Sequence, residues 1–220
     1  MARKRGVGEG QADLFSLDTS RNLAHHLDDL SWPAQDRFPI NRASEQVRHV
    51  VWQDLVSSTD PVIVAGYSSI GELVAFIAEW SGHGAEGQLR IVIGAEPFGS
   101  SRKSFASPQA AFTKEVQDYW MERGISLRLS AQVLVAMQAI LDGRVGIRSV
   151  HGSSPLHAKV YVGDDAATAG SSNFTANGLR DQVEVNTRFD RATDPKRFGE
   201  LASIADNLWA VGDPWESDFL

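Results

Sequence analysis

The chain has 220 residues, 42% hydrophobic and 22% charged, no cysteine, and a formal net charge of −7. Such a balance belongs to a globular chain of one large domain or two small ones, and the missing cysteines exclude disulfides, thiolate metal sites and cysteine nucleophiles. No apolar run approaches the roughly 20 residues of a membrane helix, and an acidic chain does not grip duplex DNA with its whole surface, so any nucleic-acid contact has to come from a local basic patch or a partner.

The start, "MARKRGVGEG", is basic but is followed by no apolar signal core, which argues for a cytoplasmic chain with no membrane partner. Residues 1–40 read as an arm, partly flexible or draped on a neighbour: Gly and charge dominate first, then prolines punctuate "SWPAQDRFP". A domain over 41–212 follows. "NRASEQVRHVVWQDLVSS" predicts a helix with a start signal at Ser44 and an apolar face of Val47, Val50, Val51 and Leu55. "DPVIVAGYSS" (60–69) predicts a buried strand, and "IGELVAFIAEWSGHG" a helix striped by Ile70, Leu73, Val74 and Ile77 and ended at Gly82. A second strand covers 89–97, a helix 107–124, a third strand "ISLRLS" (125–130), and a helix "AQVLVAMQAILDG". "VGIRSVHG", "HAKVYVGD" and "QVEVNTRFD" read as further strands, and "DPKRFGELASIADNLWAVG" as a closing helix. Strands alternating with helices imply an α/β fold: a mostly parallel, mixed central sheet flanked by helices on both faces. Residues 213–220 read as a tail, a linker to a further domain in a longer chain.

Chemistry concentrates in "LHAKVYVGDDAATAGSSNFTANGL", residues 156–179. On a strand the side chains alternate, so His157 and Lys159 share a face. If "HAKVYV" and "AATA" form a hairpin, "GSSN" returns Ser171 and Asn173 to the same place. An imidazole, an ammonium, a hydroxyl and a carboxamide on one face suit an anionic phosphoryl group, with Lys and Asn to orient it and His to attack or to move a proton.

The spacing His157-x-Lys159-x4-Asp164, followed by Gly170-Ser171-Ser172-Asn173, resembles the HKD motif of the phospholipase D superfamily. The segment "NFTANGLRDQVEVN" resembles the continuation of that motif in the branch with nuclease and helicase-associated members, and the likeness spans residues 40 to 212. Five residues separate Asp164 from Gly170, one fewer than the common pattern. The resemblance implies a phospholipase D-like fold and a metal-independent phosphodiesterase with no cofactor. It makes His157 the nucleophile and Lys159 and Asn173 the holders of the phosphoryl oxygens. Ser171 adds a hydrogen bond, and Asp164 or Glu184 accepts the other imidazole N–H, as the acid does in a serine-protease triad. One motif is half a site, so the resemblance also implies a homodimer about a twofold axis. Its expected substrate is nucleic acid, DNA ahead of RNA, with a fused or associated helicase or ATPase in a restriction or phage-defence setting.

Around this core, Ser68 and Ser69 at the end of the first strand, with Arg180, Arg188 and Arg148, are candidate substrate-binding residues. His151 and the pair His25-His26 read as solvated surface residues, with no metal-ligand spacing. "GYSSIGE" lacks the Gly-Lys-Ser/Thr ending of a nucleotide loop. Trp52, Trp80, Trp120 and Trp209 fall on helical apolar faces and read as packing residues. The competing functions are a catalytically inactive module for nucleic-acid binding and dimerisation, and a phospholipid phosphodiesterase; no membrane-docking segment supports the second.

Overall fold

A computed structural model describes residues 30–42, 44–84, 86–94, 127–150 and 156–214. The helix expected over 107–124, the ends of several strands, His25, His26, Trp120 and His151 lie outside them. Seven strands form one sheet: β1 (Val62–Ala65), β2 (Leu89–Gly94), β3 (Val145–Val150), β4 (Lys159–Val162), β5 (Ala166–Gly170), β6 (Asn186–Asp190) and β7 (Asp213–Pro214), in the order β6-β5-β4-β1-β2-β3-β7. The helices are α1 (Val47–Val56), α2 (Ile70–Gly82), α3 (Leu127–Leu141) and α4 (Pro195–Val211). A π-helical turn occupies Asn177–Asp181.

Two-residue alternation divides the core. Ile63, Ala65, Leu89, Ile91, Val145 and Tyr161 point to the face covered by α1, α2 and α3. Val62, Val64, Val92, Val160, Val162 and Ala167 point to the face covered by α4, against Phe198, Leu201, Ala205 and Leu208. The expected mixed α/β sheet with helices on both faces is present. Its balance differs from the expectation: only β1–β2 and β2–β3 are parallel, whereas β1–β4, β4–β5, β5–β6 and β3–β7 are antiparallel. The reason lies in the connections. Helices separate the first three strands, as parallel crossovers require, while the tight turn between β4 and β5 permits only an antiparallel return.

Two further expectations are corrected. "ISLRLS" is not a strand where it is described, since helix α3 begins at Leu127. No Gly or Pro separates "ISLRLS" from "AQVLVAMQAIL", and Leu and Arg are good helix formers, so the helical periodicity extends backward over the period-two pattern. Nor does Ser44 cap α1. The N-cap position is Gln46, which makes no side-chain cap bond. The Val47 amide donates to Oδ1 of buried Asn41 at 2.8 Å instead. That same Asn41 donates through Nδ2 to the carbonyls of Gly178 (2.9 Å) and Gln182 (2.8 Å), so it ties the start of α1 to both ends of the π-helical turn.

Residues 35–41, the last part of the expected arm and the first of the domain, run along β6. Arg188 N donates to Arg37 O (2.9 Å), Asn186 N donates to Pro39 O (3.1 Å), and Ile40 forms a bridge with Val185. Arg188 itself is clamped by a bidentate pair with Asp54 of α1, Nε to Oδ2 at 2.7 Å and Nη2 to Oδ1 at 2.9 Å. That pair raises the Arg188 pKa and uses the guanidinium as a structural tie between α1 and β6. Arg188 is therefore not a free substrate-binding cation, contrary to the sequence expectation.

The core converges on Phe174, which is 0% exposed. Its ring lies parallel to Trp52 at 6.1 Å, edge-on to Phe76 at 5.6 Å, and tilted against Tyr161 at 5.9 Å. Phe174→Ala is expected to cost roughly 3–5 kcal/mol, the range for a large aromatic removed from a packed core, read as a lowered urea midpoint at unchanged slope. Both partners of the Arg188–Asp54 pair are 17% exposed. Arg188→Ala is expected to destabilise by roughly 2 kcal/mol, between the ranges for surface and buried pairs. Adding Asp54→Ala should cost little more than the first change alone, because the two residues act as a unit.

Candidate active site

The site lies where the parallel and antiparallel halves of the sheet meet. The carboxyl end of β1 runs beside the amino end of β4, with Ala65 opposite Lys159. Ligands favour such a position in open α/β sheets, because the loops leave the sheet in different directions there. The approach is close: a Cβ on Gly66 would stand 3.0 Å from the His157 Cα and 3.1 Å from Leu156 O. A side chain there would press on that backbone, so glycine suits the close passage of β1 by His157.

The β4–β5 hairpin brings the motif together. Val160 pairs with Ala169, Tyr161 with Thr168 and Val162 with Ala167, and Gly163 N donates to Ala166 O at 2.8 Å. Only Asp164 and Asp165 remain in the loop. The shortened spacing before Gly170 is thus a tight two-residue turn, and the register it sets carries Gly170 opposite Lys159. His157 and Lys159 do share a side: Lys159 Nζ is 3.0 Å from His157 Nδ1 and 2.7 Å from His157 O. His157 is exposed, while Lys159 is 6% exposed. Burial pulls the Lys159 pKa below its ordinary value, and the charge of Glu184 partly offsets this.

Asn173 is the third member. Its Oδ1 accepts from Tyr67 N at 3.1 Å, so the carboxamide is oriented by the end of β1. With the oxygen engaged, the NH2 group is the end left to donate to an anion. The backbone next to it is locked to the same loop: Phe174 N donates to Tyr67 O (3.2 Å) and Ser69 N donates to Phe174 O (3.1 Å). Ser68 forms a bridge with Phe174. Ser68 and Ser69 therefore stand beside the site, half-exposed. The Tyr67 ring stands nearly perpendicular to the His157 ring at 5.9 Å.

Other expected residues are placed elsewhere or engaged otherwise. Asp164 sits at the far end of β4, about 16 Å of strand from Lys159. Its Oδ2 accepts from Thr59 N and its amide donates to Ser58 Oγ, both at 2.8 Å, so it docks the hairpin on the loop after α1. It does not reach the imidazole. Ser171 is near, but its hydroxyl accepts from Val185 N at 3.0 Å and clamps the chain segment that carries Glu184. Glu184 is half-buried and close enough for its charge to raise the pKa of both Lys159 and Tyr161. Arg180 pairs with buried Glu72, which Arg48 also approaches at 3.5 Å. Arg148 donates to Trp209 O at 2.9 Å and lies over the Trp209 ring. None of Arg148, Arg180 and Arg188 is free for a phosphate backbone. Of the tryptophans, Trp52 and Trp80 are buried, and Trp209 is half-buried under Arg148.

Two residues without an assigned role in the sequence prove central to the scaffold. Asn186, 1% exposed, donates from Nδ2 to Ser172 Oγ (2.9 Å) and Pro39 O (3.0 Å) and accepts at Oδ1 from Ser172 N (3.3 Å). Buried Tyr161 donates its hydroxyl to Ser172 O at 2.6 Å. Ser172 is thus held on three polar groups, which fixes the turn between Ser171 and Asn173. The signal for this was Gly170, where a Cβ would collide with Asn186 Oδ1 and stand 2.5 Å from Val185 O. The sequence shows that glycine but not the asparagine it faces.

No protein-family model matches the chain, and no curated protein sequence matches it. Among solved structures, a phospholipase D family member, Nuc from Salmonella typhimurium, is similar over 82% of this chain and 98% of its own, with TM-score 0.52 and 16% identity. Phosphatidylserine synthase from Haemophilus influenzae is similar over 81% of this chain, with TM-score 0.53 and 12% identity. Polyphosphate kinase from Porphyromonas gingivalis covers 90% of it, with TM-score 0.52 and 11% identity. The chain spans 39% of the synthase and 26% of the kinase. The mixed seven-stranded sheet, with His157 and Lys159 at the junction of its two halves, is a phospholipase D-like fold.

Proposed function

We propose that the protein is a metal-independent phosphodiesterase acting on nucleic acid, DNA ahead of RNA, with His157 as its nucleophile. The observation that carries this reading is the hairpin register, which sets an imidazole, a buried ammonium and an oriented carboxamide at one sheet edge. Lys159 and Asn173 hold the two non-bridging oxygens and stabilise charge as it develops on them. A ring nitrogen of His157 forms a bond to phosphorus as the bond to the leaving oxygen breaks. The leaving oxygen takes its proton from the His157 of a second copy. Water, deprotonated by that second imidazole, then attacks phosphorus and breaks the phosphorus–nitrogen bond. The two histidines need opposite protonation states, which the near-neutral reference value of imidazole allows. One chain holds one such motif, so a homodimer about a twofold axis completes the site.

The acid in this scheme is Glu184. It is half-buried beside Lys159, whereas Asp164 is bonded to Thr59 at the other end of the strand. With Arg148, Arg180 and Arg188 engaged in the fold, grip on a longer nucleic acid falls to the dimer or to a partner. A helicase or ATPase, fused or associated, is the partner that fits this reading.

Cleavage of labelled DNA and RNA, single- and double-stranded, tests it. Activity is expected to persist in EDTA, to fall on the order of 10³-fold or more in His157→Ala, and about 10²-fold in Lys159→Met. A dimer of verified mass that binds these substrates and cleaves none would sink the proposal. The ammonium is required and burial lowers its pKa, so the active charge state is lost as pH rises through that lowered value. The alkaline limb of the pH–rate profile should therefore fall below the range of an ordinary lysine.

A further inference from the structure

The contact between Lys159 and His157 constrains the chemistry of the ring. An ammonium has N–H donors and no lone pair, so at 3.0 Å the His157 Nδ1 is the acceptor. A neutral imidazole that accepts at Nδ1 carries its proton on Nε2. Both ring nitrogens are then occupied. The Nδ1 lone pair faces Lys159, and Nε2 has no in-plane lone pair to offer. In this arrangement His157 cannot attack phosphorus. Among the described residues no carboxylate bonds to the ring to enforce the other tautomer: Asp164 is bonded to Thr59, and the ring nitrogen Nδ1 meets Lys159.

We propose that Lys159 holds His157 in its non-nucleophilic tautomer in the free protein, and that an anionic phosphoryl oxygen entering the site draws the ammonium off Nδ1 and so releases the ring. The inference rests on the phosphodiesterase reading and adds to it a nucleophile that is armed by its own substrate. An anionic acceptor adds the Coulomb attraction of opposite charges to the hydrogen bond, which a neutral imidazole nitrogen does not. A buried ammonium therefore gains by exchanging a neutral imidazole nitrogen for an anionic oxygen. The move is short, because the 2.7 Å bond from Nζ to His157 O tethers the ammonium beside the site while the ring contact is exchanged. The proton balance closes within the imidazole: Nε2 gives its proton to solvent, Nδ1 takes one from solvent, and the ring charge is unchanged. The lone pair then stands on Nε2, and the new Nδ1–H is available to a carboxylate.

The two tautomers have distinct nitrogen and proton correlation patterns in NMR of ¹⁵N-labelled protein. The spectra are recorded at about pH 8, where an ordinary imidazole is neutral. The His157 signals are assigned by their loss in His157→Gln, and the remaining histidine signals report that each variant is folded. The free protein should show the Nε2–H pattern and convert to Nδ1–H as inorganic phosphate is titrated in. Lys159→Met should show no phosphate-driven conversion. An Nδ1–H pattern in the free protein, no change of the His157 signals with phosphate, or the same conversion in Lys159→Met would each overturn the inference. Conversion without cleavage of any phosphodiester would leave it standing and sink the functional reading. His157-dependent cleavage with an unchanged tautomer would do the reverse.

Discussion

The burial of one phenyl ring holds the site to the core. Phe174 follows Asn173 directly, and its ring is enclosed by Trp52, Phe76 and Tyr161. Because the ring cannot leave that cluster without a large loss of packing, the backbone at 173–174 is fixed relative to α1, α2 and β4 at once. Its amide and carbonyl then bond to Tyr67 and Ser69, which ties the end of β1 to the turn. The orientation of the Asn173 carboxamide follows from these constraints. A site for anions needs donors that do not reorganise when charge arrives, and here the rigidity comes from hydrophobic packing one residue away.

A second layer of support is polar. Ser172 is clamped by Asn186 and by the Tyr161 hydroxyl, and Asn186 reaches on to Pro39. Asn41, two residues further along the same segment, holds the π-helical turn and the start of α1. Residues 35–41 therefore do more than cover an edge. They complete the hydrogen bonding of the strand that follows Glu184. Buried amides pay their desolvation only when each donor and acceptor finds a partner, so this network is specific in a way that apolar packing is not.

The arginines show where charge patterns in a sequence lose meaning. Arg180, Arg188 and Arg148 follow or flank the motif, and as isolated letters they resemble a phosphate track. In the structure each is held by the protein: Arg180 by Glu72, Arg188 by Asp54, Arg148 by carbonyls and the Trp209 ring. Glu72 and Asp54 are more than a hundred residues from their partners in the chain. Long-range pairing of this kind has no local signature.

Local constraints were legible from the letters alone. Alternation placed His157 and Lys159 on one side, the spacing to "GSSN" implied the hairpin that returns Asn173 to them, and the apolar stripes of α1 and α2 marked their buried faces. Three matters were decided only in three dimensions. The antiparallel half of the sheet depends on which strands become neighbours. The displacement of Asp164 to the far end of β4 depends on the length of strand between it and Lys159. Among the described residues the partner of the His157 ring is Lys159 rather than a carboxylate, a contact that depends on how the folded strand seats the ammonium. Periodicity and turn chemistry act over a few residues and can be read in order. Pairing, burial and charge compensation act between residues that meet only after the chain has folded.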